Sequence, residues 1–321
     1  MITLQPYRKD DASAWNALVD GSKNGTFLFD RRFMDYHADR FDDCSLLFRQ
    51  GSRLLACLPA NFCADEQTVY THQGLTYGGL VMADSVGAAD VLHIFGLLTD
   101  YYRHELAARR FVCKPVPHIY CTQPSDEPLY ALHRFGAQLT ARGLSSAVSL
   151  RHPLPLQARR RSGIRKAEAA ALRIERTDAA ADYEAFHHIV ATGLRQRHGV
   201  EPVHSAAEML LLAARFPQNI HLYVERTADG SDIVAGAWLF VTRRVVHTQY
   251  MAASEAGRGM GALDYLIANL IDRYRDVPDL TTFDFGISTE EGGRVLNEGL
   301  IFQKEGFGGR GVCYDQWTLE L

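Results

Sequence analysis

Between Ile220 and Phe285 the chain sets out an order of elements that few folds accept. Three runs rich in β-branched and aromatic residues come first: Ile220–Glu225, Ile233–Val241 and Val245–Ala252. Thr242-Arg-Arg244 joins the last two as a hairpin. The glycine-rich Glu255-Ala-Gly-Arg-Gly-Met-Gly261 follows, then Leu263, Leu266, Ile267, Leu270, Ile271 and Tyr274 at steps of three and four. That spacing predicts a strong amphipathic helix. A strand, Thr281–Phe285, succeeds it, then a helix pattern at Arg294–Leu300 and an alternating strand at Cys313–Glu320. Antiparallel strands followed by a helical crossover and another strand predict a twisted mixed sheet flanked by helices.

The first half follows the same order. Trp15–Val19 reads as a short helix, and Thr26–Phe41 as helical in part. Ser45–Arg49 and Arg53–Pro59 flank Gln50-Gly51-Ser52 as a hairpin, and strands follow at Gln67–His72 and Gly78–Met82. Val91, Phe95, Leu98, Tyr102 and Leu106 mark a helix across Gly87–Arg109, ahead of strand Arg110–Lys114, helix Leu129–Phe135 and strand Leu144–Leu150. No sequence repeat accompanies this echo. At 321 residues the chain has room for about two domains. Pro153, Pro155 and a charge run interrupt the periodicity over Arg151–Arg161, so the expected division is 1–152 and 153–321. The helices expected next are Ala167–Leu172, Tyr183–Arg197 and Ala206–Phe216, the last opened by a Ser205/Glu208 capping box.

Apolar residues make up 47% and charged residues 22%, ordinary for a soluble globular protein. With a net charge of −4, a polyanion must be met by local patches, and nothing global points to DNA. The polar Met1–Asp11 carries no hydrophobic signal core, and no apolar run is long enough to span a bilayer. Cysteines 44, 57, 63, 113, 121 and 313 form no Cys-x-x-Cys; buried free thiols in a reducing cytoplasm are expected, with no metal site.

Several stretches carry residue types suited to chemistry. In Asn297–Gly309, Lys304 stands among Gly299, Gly306, Gly308 and Gly309, beside Phe302 and Phe307. An ammonium pointing into a partly apolar site acts strongly on a phosphate or a developing oxyanion; a solvated loop lysine is the other reading. Gly257, Arg258, Gly259 and Gly261 sit where a helix start can cradle a phosphorylated cofactor, Arg258 adding a charge-assisted contact. Glycines serving a tight turn alone would look the same. Arg159-Arg-Arg-Ser-Gly-Ile-Arg-Lys-Ala167, extended by Arg173 and Arg176, is the densest basic run. It suits a diphosphate, a nucleotide-linked substrate or an RNA end, or else a solvated helix face or linker. Asp284, in Thr-Phe-Asp-Phe-Gly286, is a candidate general base or a carboxylate satisfying backbone donors, with Glu290 and Glu291 as alternatives. Thr71–Gly79, holding Tyr77, is a substrate-facing loop or a plain hairpin. His187, His188, His198, His204 and His247 show no metal-site spacing, and no serine sits in a nucleophile elbow.

Taken together, the strand–glycine turn–helix–strand order, the Arg159–Lys166 tract, Phe283-Asp-Phe-Gly286 and Leu296-Asn-x-Gly-Leu300 running into Phe302-x-Lys-x-Gly-Phe-Gly-Gly309 resemble the FemAB-type peptidyltransferases and the wider GNAT acyltransferases. The resemblance implies an α/β fold of two tandem GNAT-like (acyl-CoA N-acyltransferase) domains, the second carrying the donor site. The usual GNAT pattern is Gln/Arg-x-x-Gly-x-Gly/Ala. With Gly259 and Gly261 as its glycines, its first position is Ala256; read from Arg258, only Gly261 falls in place. The resemblance implies a cytoplasmic acyltransferase that carries an acyl group from acyl-CoA to an amine of a small or cell-envelope precursor acceptor. Its FemAB form implies aminoacyl-tRNA as donor and a cell-wall precursor as acceptor. A double fold that binds ligand without turnover is the third possibility. In the catalytic readings Lys304 neutralises developing charge and Asp284, or a water beside it, takes the proton. Arg165 and Lys166 hold a phosphorylated substrate, and Tyr77 and Phe307 line its site.

Overall fold

The computed structural model describes residues 1–321, the side chain of His198 excepted. Two compact units make up the chain. Unit 1 is Met1–Leu144 with Thr289–Leu296 and Val312–Leu321, and unit 2 is Ser145–Ser288 with Asn297–Gly311. The division near residue 152 expected from the sequence lies inside unit 2.

Unit 1 runs through β1 (Ile2–Pro6), α1 (Ala12–Gly21), α2 (Arg31–Met34), β2 (Asp42–Asp43), β3 (Leu46–Gln50), β4 (Arg53–Leu58), β5 (Asn61–Cys63), β6 (Thr68–Tyr70) and β7 (Val81–Met82). Then come α3 (Ala88–Glu105), β8 (Arg110–Cys113), α4 (Glu127–Arg134) and β9 (Gln138–Ser149), whose last residues enter unit 2. One sheet has the order β1-β3-β4-β7. In another, β6 pairs parallel with β8, Val69 opposite Phe111. Val91, Ile94, Phe95, Leu98 and Tyr102, one stripe of α3, are buried with Leu46, Phe48, Leu58 and Phe111.

Unit 2 continues with α5 (Ala158–Ala169), β10 (Arg173–Thr177), α6 (Ala180–His198), α7 (Ala206–Arg215), β11 (Ile220–Arg226), β12 (Ile233–Val241) and β13 (Val245–Ala253). After these stand α8 (Glu255–Met260), α9 (Ala262–Arg275) and β14 (Thr282–Ile287). The chain returns to unit 1 for the pair β15 (Thr289–Glu290) and β16 (Val295–Leu296), re-enters unit 2 as α10 (Glu298–Glu305), and ends in β17 (Arg310–Glu320). In unit 1 the end of β17 pairs antiparallel with β8, Leu319 opposite Phe111. The unit 2 strands lie in the order β10-β11-β12-β13-β14, with the end of β9 beyond β14. Only the β13–β14 pairing within that set is parallel, because α9 carries the chain back across the sheet between them. α9 buries Leu266, Ile267, Leu270, Ile271 and Tyr274 with Ala235, Ala237, Leu239 and Phe283. Each large side chain so buried contributes about 1.5–3 kcal/mol.

Three local readings are corrected. The stretch taken as a linker runs into a helix: its last residues, Ala158–Arg161, open α5, since arginine is a good helix former and Gly163 sits where the helix needs a small residue. The Glu255–Gly261 turn is α8, capped by the Ser254 side chain, which accepts from Gly257 N. Lys304 lies inside a helix rather than a loop: the Asn297 side chain accepts from Leu300 N at 3.0 Å and starts α10, which runs through Glu305. Cys313, on β17, is exposed.

Candidate active site

The site is organised by the parting of two strands. β13 pairs with β12 from Val246 opposite Val241 to Ala253 opposite Ala235. Its pairing with β14 covers only Val245, Val246 and His247, opposite Thr282, Phe283 and Asp284. Just past that point the β12–β13 register shifts, with Leu239 opposite Thr248 and Trp238 opposite Tyr250. Gln249 is the extra residue of a bulge, which bends a strand away from its neighbour. From Thr248 to Ala253, no strand among the described residues pairs with β13 on the β14 side.

At the near end of this open edge, ladder partners His247 and Asp284 point to one face of the sheet. His247 Nδ1 lies 2.7 Å from Asp284 Oδ2. The other carboxylate oxygen accepts from Ser145 Oγ on β9 and from Gly286 N at 3.4 Å. Asp284 is fully buried, and a buried carboxylate persists when its lone pairs are met in this way. With Nδ1–H donated to the carboxylate, the imidazole carries its proton-accepting lone pair on Nε2. Lys304 enters from α10, where its ammonium donates to Gly286 O at 2.8 Å and Ile287 O at 2.9 Å. Gly286 has φ +72°, a conformation that favours glycine and turns the end of β14. Burial pushes the Lys304 pKa down to about 8, against the opposing pull of the Asp284 charge.

At the far end a cavity of about 490 Å³ opens beside Met251–Ala253. Arg159 and Lys166 of α5, Arg197 of α6 and Arg258 of α8 bring cations to its wall, and Phe302 and Gln303 of α10 complete one side. Arg160, also on the wall, is ion-paired with Asp264 in the first turn of α9. Arg258 Nη1 donates to Ala253 O at 3.1 Å, tying α8 to the strand end. The glycines serve packing here. A Cβ on Gly257 would run into the Val234 carbonyl, and one on Gly261, at φ +74°, into the Gly163 carbonyl where α5 crosses α9. Gly259 has no heavy atom within 4 Å of such a Cβ.

Of the residues singled out in the sequence, Lys304 and Asp284 converge on one end of the open edge, and Lys166, Arg258 and Gly261 on the other. Gly257 is buried beneath Val234, and Gly259 faces open space. Arg165 is exposed on α5 away from the cavity wall. Phe307 is buried; its ring centroid lies 5.6 Å from that of Phe285 and 5.2 Å from the Arg160 guanidinium. Tyr77 belongs to unit 1, where it is buried, its hydroxyl 3.3 Å from Thr26 Oγ1 and its ring 4.6 Å from that of Tyr120.

The sequence reading passed over Ser145, Arg197 and Gln303, and set His247 aside with the other histidines. For His247 the available signal was a histidine in a strand that holds no Asp, Glu, Lys or Arg, matched by Asp284 in another. His198, named in the same group, has a side chain outside the described residues. Among the described residues, no three or more His, Cys, Asp or Glu side chains gather as a metal site. No described helix is long and apolar enough to cross a membrane.

Residues 157–291 match the family model described as an acetyltransferase (GNAT) domain. No curated protein matches the sequence. Among solved structures the chain is similar to FemX at 12% identity, covering 99% of this chain and 97% of that one, with a TM-score of 0.68. It is similar to the C-terminal domain of a putative lysylphosphatidylglycerol synthetase from Agrobacterium fabrum at 14% identity, covering 97% and 92%, with a TM-score of 0.62. A tandem GNAT protein from the clavulanic acid biosynthesis pathway is similar at 14% identity over 100% and 98%, with a TM-score of 0.51. At such identities the likeness is one of fold, that of two GNAT-like domains.

Proposed function

We propose that the chain is an acyltransferase of the GNAT superfamily, its matched domain at residues 157–291, and that it moves an acyl group from an acyl-CoA-type thioester to an amine by direct attack. The observation that carries this reading is the open edge of β13, with cations at one end and the His247–Asp284 pair at the other. Arg159, Lys166, Arg197 and Arg258 hold the donor's phosphates in the cavity beside Ala253. From Ala253 back to His247 is six strand steps, about 20 Å. An extended donor arm lies along that edge and takes the backbone hydrogen bonds β14 does not make, which brings its carbonyl towards His247.

The amine nitrogen then forms its bond to the carbonyl carbon while the carbon–sulfur bond breaks, and the thiolate leaves. His247 Nε2 takes the proton lost by the amine, and Asp284 stabilises the imidazolium and fixes its orientation. Asp284 acts through His247, since both of its oxygens are engaged within the fold. Lys304 is a positioning residue that holds the Gly286–Ile287 carbonyls and the strand end behind Asp284. The acceptor is an amine of a small or cell-envelope-related molecule.

A second reading, an aminoacyl-tRNA donor with a cell-wall precursor as acceptor, is favoured by one observation. α5 exposes Arg161 and Arg165 outside the cavity, more basic surface than a diphosphate uses. Thermal shift with acetyl-CoA, longer acyl-CoAs and aminoacyl-tRNA divides the two. Acyl-CoA at a hundred times its dissociation constant stabilises the protein by about 2.7 kcal/mol. Stabilisation by aminoacyl-tRNA alone would remove the thioester reading, and none by any donor would remove both.

A further inference from the structure

Phe302 leaves 49% of its surface exposed, yet it stands on the wall of the cation-lined cavity rather than on an open helix face. A half-exposed aromatic side chain on a wall shared with arginines leaves apolar ring surface that the protein does not cover. Gln303, the next residue of α10, reaches the same wall. Its amide offers one donor and one acceptor, the pair that matches the N6–H₂ and N7 edge of adenine. Arg159, Lys166 and Arg258 provide the positive charge that phosphates attached to such a ring require.

We infer that Phe302 is the platform on which the adenine ring of the donor's nucleotide stacks, with the Gln303 amide at the ring's edge; this assignment rests on the donor site proposed above. An adenosine nucleotide is common to coenzyme A and to the 3′ end of tRNA, so the two sources share this chemistry. Stacking tolerates any large aromatic ring and is lost with alanine. Phe302 is half exposed, so its removal spares the fold.

Calorimetric titration of the full chain with coenzyme A, 4′-phosphopantetheine and a CCA-ended RNA minihelix tests the assignment. Phe302→Ala weakens the adenosine-bearing ligand about 5- to 150-fold and Phe302→Trp restores it, while 4′-phosphopantetheine, which lacks adenosine, binds both variants as it binds the parent. The same Phe302 dependence seen with the minihelix and not with coenzyme A supports the stack and assigns its source to RNA. Unchanged adenosine-ligand binding by Phe302→Ala overturns the stack and leaves the donor site standing. An equal loss for 4′-phosphopantetheine overturns it as well. A parent protein that binds none of the three ligands overturns the donor site and the stack together.

Discussion

His247 and Asp284 face each other across the short stretch where β13 and β14 run side by side, with Nδ1 and Oδ2 2.7 Å apart, and beyond them the strands part. The pair sits at the root of the gap through which a donor arm would reach the sheet. His247→Gln keeps the shape of a strand residue and loses the base. Turnover is expected to fall by about 10²- to 10⁴-fold with little change in donor KM. Asp284→Asn lowers turnover as well, by presenting the wrong tautomer. A His247→Gln enzyme within a few-fold of the parent's kcat would make the pair structural.

Lys304→Met removes an ammonium that is 3% exposed and leaves the Gly286 and Ile287 carbonyls without their donor. Each buried polar group left unsatisfied costs about 1–3 kcal/mol. The expected outcome is a lower Tm and a lower kcat with donor affinity retained, because the ammonium faces carbonyls and not the cavity. Intact transfer and an unchanged Tm would remove the positioning role.

Gly261→Ala forces a side chain into φ +74° and towards the Gly163 carbonyl, so α9 must move off α5. The left-handed conformation alone costs about 1–2 kcal/mol, before the clash. Gly259→Ala meets no atom within 4 Å and lies in α8, where alanine is favoured over glycine by up to about 1 kcal/mol. Denaturant unfolding should therefore separate the two variants in opposite directions. If Gly259→Ala instead abolishes donor binding while folding normally, that glycine serves a close phosphate approach.

Glu225 of β11 is fully buried, and neither carboxylate oxygen has a hydrogen-bond partner among the described residues. Burial alone pushes its pKa up to about 8 from an ordinary 4.5. Between those values the folded chain keeps a proton that the unfolded chain releases, so its contribution to stability is complete below pH 4.5 and is lost as pH rises through 8. The loss reaches roughly 3 kcal/mol by pH 7. His72 and His221, lowered by burial to about 3 and about 4, slope the opposite way below pH 6.5. Lys304 changes only above pH 8. The measurement is therefore the difference between Glu225→Gln and the parent in urea at pH 5 and pH 8. It should widen in favour of the variant at the higher pH; a constant difference would mean that Glu225 is ionised in the folded chain.

Much of unit 2 was legible in the sequence because its elements announce themselves locally. The β-branched runs became β11, β12 and β13, and the Leu263–Tyr274 stripe became α9. The misread segments are those where local signals conflict. Prolines and arginines before Ala167 hid the start of α5, glycines hid α8, and Gly306 to Gly309 drew attention away from the helix holding Lys304. Half of the site was visible as residue types, namely Lys304, Asp284, Lys166 and Arg258. His247 and Ser145 were not, since nothing in Val246-His-Thr248 or Leu144-Ser-Ser146 says which strand each will face.

Sequence alone determined the strands β11, β12 and β13, the amphipathic α9 and the basic run ahead of Ala167, because backbone hydrogen-bonding periods and helix propensity act over a few neighbouring residues. Tertiary structure decided which side chains meet. Asp284 binds His247 from 37 residues away and Ser145 from 139, and Lys304 turns inward to two carbonyls at the end of β14. Such meetings depend on strand register, and a slip of one residue would turn His247 to the opposite face of the sheet. Register is set by the burial of α9 against the whole sheet and by the bulge at Gln249, which together open the edge of β13 beside the site.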